Sequence, residues 1–162
     1  MDGDTLVKVA RRRIKAELTG DPMPSLPQQP GSCYGVFVTL RQPRDELRGC
    51  LGFVDDFSGD LARAVGDMAV QAAFYDQRFG PLQPGEFDDL TIEVSLLHTP
   101  ESVTEPSQLN PKRYGVTVEC GSKRGVLLPD IEGVDSVKDQ LAIVKEKAGI
   151  QPMEPYQVRR FE

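Results

Sequence analysis

The sequence predicts an α+β fold: a two-lobed single domain with an internally duplicated strand-strand-helix-strand unit and an extra N-terminal helix. Three observations carry that expectation. "TIEVSLL" (91–97) alternates apolar and polar residues with the period of a half-buried strand. Two other stretches, 60–75 and 136–148, carry apolar residues at helical spacing. Finally, "YGVFVTL" and "LRGCLGF" in the first half are echoed by "YGVTVEC" and "KRGVLLP" in the second.

Taken in order, residues 4–18 predict an amphipathic helix with Leu6, Val7, Ala10, Ile14 and Leu18 on one side. "TGDPMPSLPQQPGS" follows as a loop, since its prolines and glycines break either period. The runs 34–40 and 47–53 predict neighbouring strands joined by the polar "RQPRDE". Ser58 or Asp60 is placed to cap the helix at 60–75, whose stripe is Leu61, Val65, Met68, Ala69 and Ala72. "DQRFGPLQPGEFDDL" reads as a loop before the strand at 91–97. In the second half, strands at 114–120 and 123–129 precede a helix at 136–148 ended by Gly149, then a strand at 156–162. The expected domain spans 1–162, with lobe one at about 34–98, lobe two at about 113–162, and the helix at 4–18 packed on them.

The bulk numbers exclude several classes of function. A formal charge of −6 disfavours a protein that tracks phosphates, despite the clusters Arg11-Arg12-Arg13 and Arg159-Arg160, which read as solvated charge. Three scattered cysteines and a single histidine support neither a disulfide framework nor a zinc cluster, so no metal and no cofactor is expected. No apolar run is long enough to cross a bilayer, and the N-terminal stretch lacks an apolar signal core; the expected compartment is the cytoplasm. G-x-G-x-x-G, P-loop and serine-elbow patterns are absent.

The unusual stretch is "ELRGCLGF" (46–53), a strand-like run holding two glycines, an arginine and a cysteine. Gly49 has a counterpart in Gly125, which points to a bulge or a close backbone approach shared by both halves. Arg48 matches Arg124, whereas Cys50 matches Val126, so the fold does not require a thiol there. Strand alternation puts Leu47, Leu51 and Phe53 on a core face and Arg48, Cys50 and Gly52 on the other. An arginine beside a cysteine favours thiolate; free cysteine is equally a common packing residue.

On 91–97 the apolar face is Ile92, Val94 and Leu96, leaving Glu93 and Ser95 on the polar one, with Glu93 facing Arg48 as an ion-pair partner. His98 continues the apolar parity and points away from Cys50, against a Cys–His dyad. Asp76, Arg78 and Phe79 sit in a loop presented by the helix before it, either binding groups or a helix-ending turn. The catalytic candidates are therefore Cys50, Arg48 and Glu93. The ligand-binding candidates are Arg48, Gly49, Gly52, Asp76, Arg78, Phe79 and Ser95, facing a small ligand or a partner segment.

Together, "GVFVTL", "LRGCLG", "DQRFGPL", "LTIEVSLL", "LLPDIE" and "KAGI" resemble the signature blocks of the AMMECR family, named after the Alport, midface hypoplasia and elliptocytosis chromosomal region. The blocks run in family order from about residue 35 to 150. Leu51 stands where isoleucine is common and Phe53 where threonine often follows, and the second half is shorter and lacks a tryptophan. The resemblance implies a two-lobed α+β fold and a hallmark block, here 47–52. It also implies partners, since relatives are encoded near, or fused to, a Memo-like protein and a radical S-adenosylmethionine protein. The reading that follows is an accessory ligand- or partner-binding protein of a modification or biosynthetic pathway. A thiol-dependent enzyme with Cys50 as nucleophile and an RNA-associated factor are the alternatives.

Overall fold

The computed structural model describes residues 3–162 and shows an α+β protein of three α-helices and two antiparallel sheets. It divides into two compact units, one running to Leu97 and the other from His98 to Glu162.

The first unit opens with α1 (Gly3–Thr19), whose buried side is Leu6, Val9, Ala10, Arg13, Ile14 and Ala16. Two arginines of the expected solvated cluster are folded into the structure instead. Arg13 is buried against α2 (Leu61–Phe74), where a Cβ added at Gly66 would come within 2.9 Å of its Cγ. Arg11 donates to the Phe87 and Leu90 carbonyls and lies over the Phe87 ring, 5.3 Å from its centroid. The aliphatic stems of such side chains bury well, so a run of charge on a helix does not imply a wet face.

Three strands form the first sheet in the order β2-β1-β3: β1 (Pro30–Gln42), β2 (Glu46–Asp60) and β3 (Thr91–Leu97). β1 starts at Pro30 rather than Tyr34, and β2 runs on to Asp60 rather than ending at Phe53. Register shifts between Cys33 and Gly35 and between Leu40 and Arg41 interrupt the alternation and hide those extensions in the sequence. Val36, Val38 and Leu40 of β1 meet Leu6, Ile14, Leu61, Val65 and Ala69 of α1 and α2 in one apolar core. Asp60 is the cap: its Oδ1 accepts from the Ala62 amide at 3.1 Å and from the Gln29 amide at 3.0 Å, joining the helix start to the chain entering β1.

The β1–β2 hairpin turns through Arg44 (φ 68°) and Asp45 (φ 63°). Two positive φ values in succession suit a tight hairpin twist but disfavour residues other than glycine, asparagine and aspartate. Arg44→Asn is therefore expected to stabilise the protein by about 0.5 kcal/mol, read as an increase in urea midpoint at unchanged m.

In the second unit β4 (Glu101–Val103), β5 (Gly115–Cys120), β6 (Lys123–Leu127) and β7 (Gln157–Phe161) order as β4-β7-β5-β6. β4, three residues pairing with β7, is too short for its period to be read from the sequence. α3 (Val137–Ala148) starts at a Ser136 cap and stops at Gly149, which adopts φ 70° as a left-handed C-terminal cap. Val116, Val118, Leu127, Val144 and Ile150 belong to this unit's own core.

The order β6-β5-β7 with α3 reproduces β2-β1-β3 with α2. The paired glycines do the same work in each. A Cβ on Gly49 would lie 2.2 Å from the Ala72 carbonyl oxygen of α2, and one on Gly125 would lie 2.5 Å from the Val144 oxygen of α3. Both helices rest their backbone directly on a strand glycine. Among the described residues no helix is long and apolar enough to cross a membrane.

Candidate functional site

The bulge in β2 rearranges the expected site. Leu40 stands opposite Gly49 and Arg41 opposite Leu47, so Arg48 is the extra residue. Leu47 consequently joins the outer face with Arg41 and is 37% exposed, where simple alternation predicts a core residue. Arg48 leaves the face of Cys50 and is only 9% exposed.

Arg48 does not pair with Glu93. Its Nε and Nη2 donate to the two carboxylate oxygens of Glu86 at 2.7 and 3.0 Å, and Nη2 also reaches the Gly80 carbonyl at 3.0 Å. Glu86 accepts further from the Gln42 side chain at 2.6 Å and the Gln83 amide at 2.8 Å. These donors, Arg48 first, hold the Glu86 carboxyl below its usual range. The arrangement is a clamp tying the segment after α2 to the β1–β2 hairpin, with Arg48 Nε and Nη2 committed to it and Nη1 buried without a hydrogen-bond partner.

Cys50 and Glu93 share the outer face, as alternation predicts, but Thr39 stands between them in register. The Cys50 Sγ lies 3.2 Å from Thr39 Oγ1. The next row is Gly52, Phe37 and Ser95, with Ser95 Oγ 3.5 Å from Glu93 Oε1. Gly52 does not open space beside the thiol: the Phe37 ring lies across it, and an added Cβ would meet Phe37 Cγ at 2.6 Å.

Asp76 and Arg78 reach Cys50 through its backbone. Asp76 Oδ2 accepts the Cys50 amide at 2.9 Å, and Arg78 Nη2 donates to the Cys50 carbonyl at 3.0 Å. β2 is an edge strand, so these two side chains occupy hydrogen-bonding groups that a further strand would otherwise take. They are bound to each other as well, with Arg78 Nε and Nη2 at 3.0 and 2.7 Å from the Asp76 oxygens. Arg78, rather than Arg48, is the cation beside Cys50. Its pKa is raised, chiefly by Asp76 and in small part by the Cys50 side chain. Phe79 is half-buried with Arg78 and Arg48 over its ring, 5.5 and 6.0 Å from the centroid.

In the second unit Lys147 Nζ donates to the Val126 carbonyl at 3.0 Å, on the residue that matches Cys50. Each half thus meets the same edge carbonyl with a cation, Arg78 from the loop after α2 and Lys147 from within α3.

The Asp76 carboxyl, 5% exposed, is held far below the usual carboxylate range, first by its bonds to Arg78 and then by the Cys50 and Arg78 amides, against the opposing effect of burial. A carboxylate whose folded pKa is depressed contributes stability above its unfolded pKa, about 3.9 for aspartate, and loses it as pH falls from there toward the folded value. Glu86 acts in the same direction. The unfolding free energy is therefore expected to drop steeply below about pH 4. In Asp76→Asn that slope is shallower, as chemical denaturation at pH 3, 4, 5 and 7 would show.

Residues missed by sequence reasoning are Glu86, Gln42, Thr39 and Phe37. Only Glu86 leaves a local trace: with Gln83 it forms the reciprocal cap of the short 3-10 turn Pro84–Glu86. His98 belongs to the second unit, where its amide and Nδ1 meet the Glu162 main-chain oxygen at 2.9 and 3.2 Å. Cys33 is buried, which raises its thiol pKa. The Arg159-Arg160 cluster is neutralised by Glu119 and Glu101 at 2.8 and 3.0 Å. Among the described residues no group of three or more histidine, cysteine, aspartate and glutamate side chains is placed to hold a metal.

Comparison with known proteins agrees with the fold. The AMMECR1 family model matches residues 7–162. A Thermotoga maritima protein is 50% identical over 116 residues, covering 72% of this chain and 67% of its own length. A Clostridium acetobutylicum protein is 37% identical over 98% of this chain, which spans only 35% of that longer relative. The crystal structure of an uncharacterized protein from Pyrococcus horikoshii superposes with a TM-score of 0.76 at 33% identity, covering 98% of this chain and 87% of the other. With nearly its whole length matched by the family model and the relatives in agreement, the chain belongs to the AMMECR1 family.

Proposed function

We propose that the chain is an accessory binding protein whose contact surface is the outer face of the β2-β1-β3 sheet around Cys50. It acts with a Memo-like protein and a radical S-adenosylmethionine protein in a modification or biosynthetic pathway.

The bonding of Cys50 carries this reading. A nucleophilic thiol needs a base or an uncommitted cation. The side-chain partner of Cys50 is the Thr39 hydroxyl, which is no base, while Arg48 and Arg78 are each paired to a carboxylate. Its backbone is pinned on both sides by Asp76 and Arg78. A rigid face with exposed Glu93 and half-exposed Cys50, Thr39, Phe37 and Ser95 suits recognition, which gains from groups ordered beforehand. The partners rest on the family resemblance.

The test is isothermal titration of the chain with the Memo-like and radical S-adenosylmethionine proteins encoded in the same genome. Saturable binding to at least one is expected, weakened about tenfold or more by Glu93→Arg and little changed by Cys50→Ser. Absence of binding to both overturns the reading. Binding that survives Cys50→Ser while the pathway's turnover is abolished moves the thiol-enzyme reading ahead.

A further inference from the structure

We propose that the second unit holds a binding site for a small oxyanion, a phosphate or carboxylate group, in the hollow bordered by His98, Arg113, Tyr114 and Arg160. This site is independent of the Cys50 face.

The hollow encloses about 480 Å³ and is lined by the end of β7, the start of β4 and the turn before β5. Tyr114 lies under two guanidiniums, with Arg160 4.4 Å and Arg113 4.9 Å from its ring centroid. Two cations that close to one ring hold it as a fixed wall.

Each carboxylate of the lining is paired to an arginine through one oxygen: Glu101 Oε2 accepts from Arg160 Nε and Nη2 at 3.2 and 3.0 Å, and Glu162 Oε1 accepts from Arg113 Nε at 3.0 Å. Arg160 is further anchored by Nη1 to the Gln108 carbonyl. Arg113 gives its carboxylate only Nε, so both terminal amino groups, four N–H donors, remain available on a side chain that is 60% exposed.

His98 turns Nδ1 to the Glu162 main-chain oxygen at 3.2 Å, which fixes its ring at the border of the hollow. Uncommitted donors on an arginine with a free fork match the paired oxygens of a phosphate or carboxylate. The Arg113–Glu162 bridge is half-exposed on both sides, and such pairs hold their partner weakly enough for a ligand oxyanion to compete.

The chain's single histidine gives the site a private signal: one imidazole Cε1–H resonance. Inorganic phosphate and, separately, acetate are titrated into the full chain at constant ionic strength and constant pH. A saturable shift of that resonance is expected, with a dissociation constant of about 1 mM or tighter for the preferred anion. The anion that saturates first distinguishes a phosphate from a carboxylate group.

Arg113→Ala is expected to weaken binding about tenfold or more, and Glu162→Gln, which releases the Arg113 fork, to strengthen it. Arg113 is exposed enough for its truncation to leave the fold intact, which circular dichroism checks. A shift linear in concentration for both anions, or affinity unchanged in both variants, overturns the proposal.

Discussion

Gly49→Ala is expected to destabilise the protein by about 3 kcal/mol or more, among the largest effects of any single methyl group in this chain. The added Cβ would lie 2.2 Å from the Ala72 carbonyl oxygen and 3.1 Å from its carbonyl carbon. Neither atom belongs to a flexible side chain, so relief requires the backbone of α2 to lift from the sheet. That movement would loosen the contact of Leu61, Val65 and Ala69 with Val38 and Leu40. Gly125→Ala presses on Val144 and Ala148 of α3 in the same way and is expected to show a similar loss. Gly80→Ala is the control: nothing lies within 4 Å of its added Cβ, and its φ is not positive. Urea unfolding of the three variants separates the contact from a general cost of replacing glycine. Equal, small losses at all three positions would show that the helices do not bear on these glycines.

The second large effect is expected at Glu86. Removing one partner of a buried ion pair strands the other, at a cost of about 3 kcal/mol or more when both are enclosed. Arg48 is enclosed, but the Glu86 side chain is 25% exposed, so water recovers part of the loss and about 2 kcal/mol is expected for Glu86→Ala. Arg48→Ala should cost at least as much, because it also releases the Gly80 carbonyl and uncovers the Phe79 ring. Arg48→Lys is expected to recover little, since an ammonium cannot match both Glu86 oxygens in a plane. Glu93→Gln should stay within about 0.5 kcal/mol of the parent, as a surface change away from that clamp. A reversed order, with Glu93 costly and Glu86 neutral, would restore the pairing that strand alternation suggests. Amide exchange across residues 76–87 gives a second readout, since loss of the clamp should release that segment before the rest of the unit.

How far the site was legible depends on how local each cause is. Helix positions, the Asp60 cap, the Gly149 stop and the strand at 91–97 are written in neighbouring residues, because capping and periodicity act within a few positions. The paired glycines were legible through the repeat, which exposed a requirement common to both halves.

Tertiary structure decided the rest. One bulge at Arg48 moves that side chain off the Cys50 face and puts Leu47 there, because strand alternation fails with a single extra residue. Arg48 could have found any acidic partner; Glu86, 38 positions away, is chosen by where the chain returns after α2. The Arg11–Arg13 cluster is a like case, since whether a cation is wet or folded in depends on the element that packs against it. Apart from β4, the sequence determined which helices and strands form and where their glycines lie. Only the folded chain determined which charges meet, because ion pairing is set by distance through space and leaves no period along the chain.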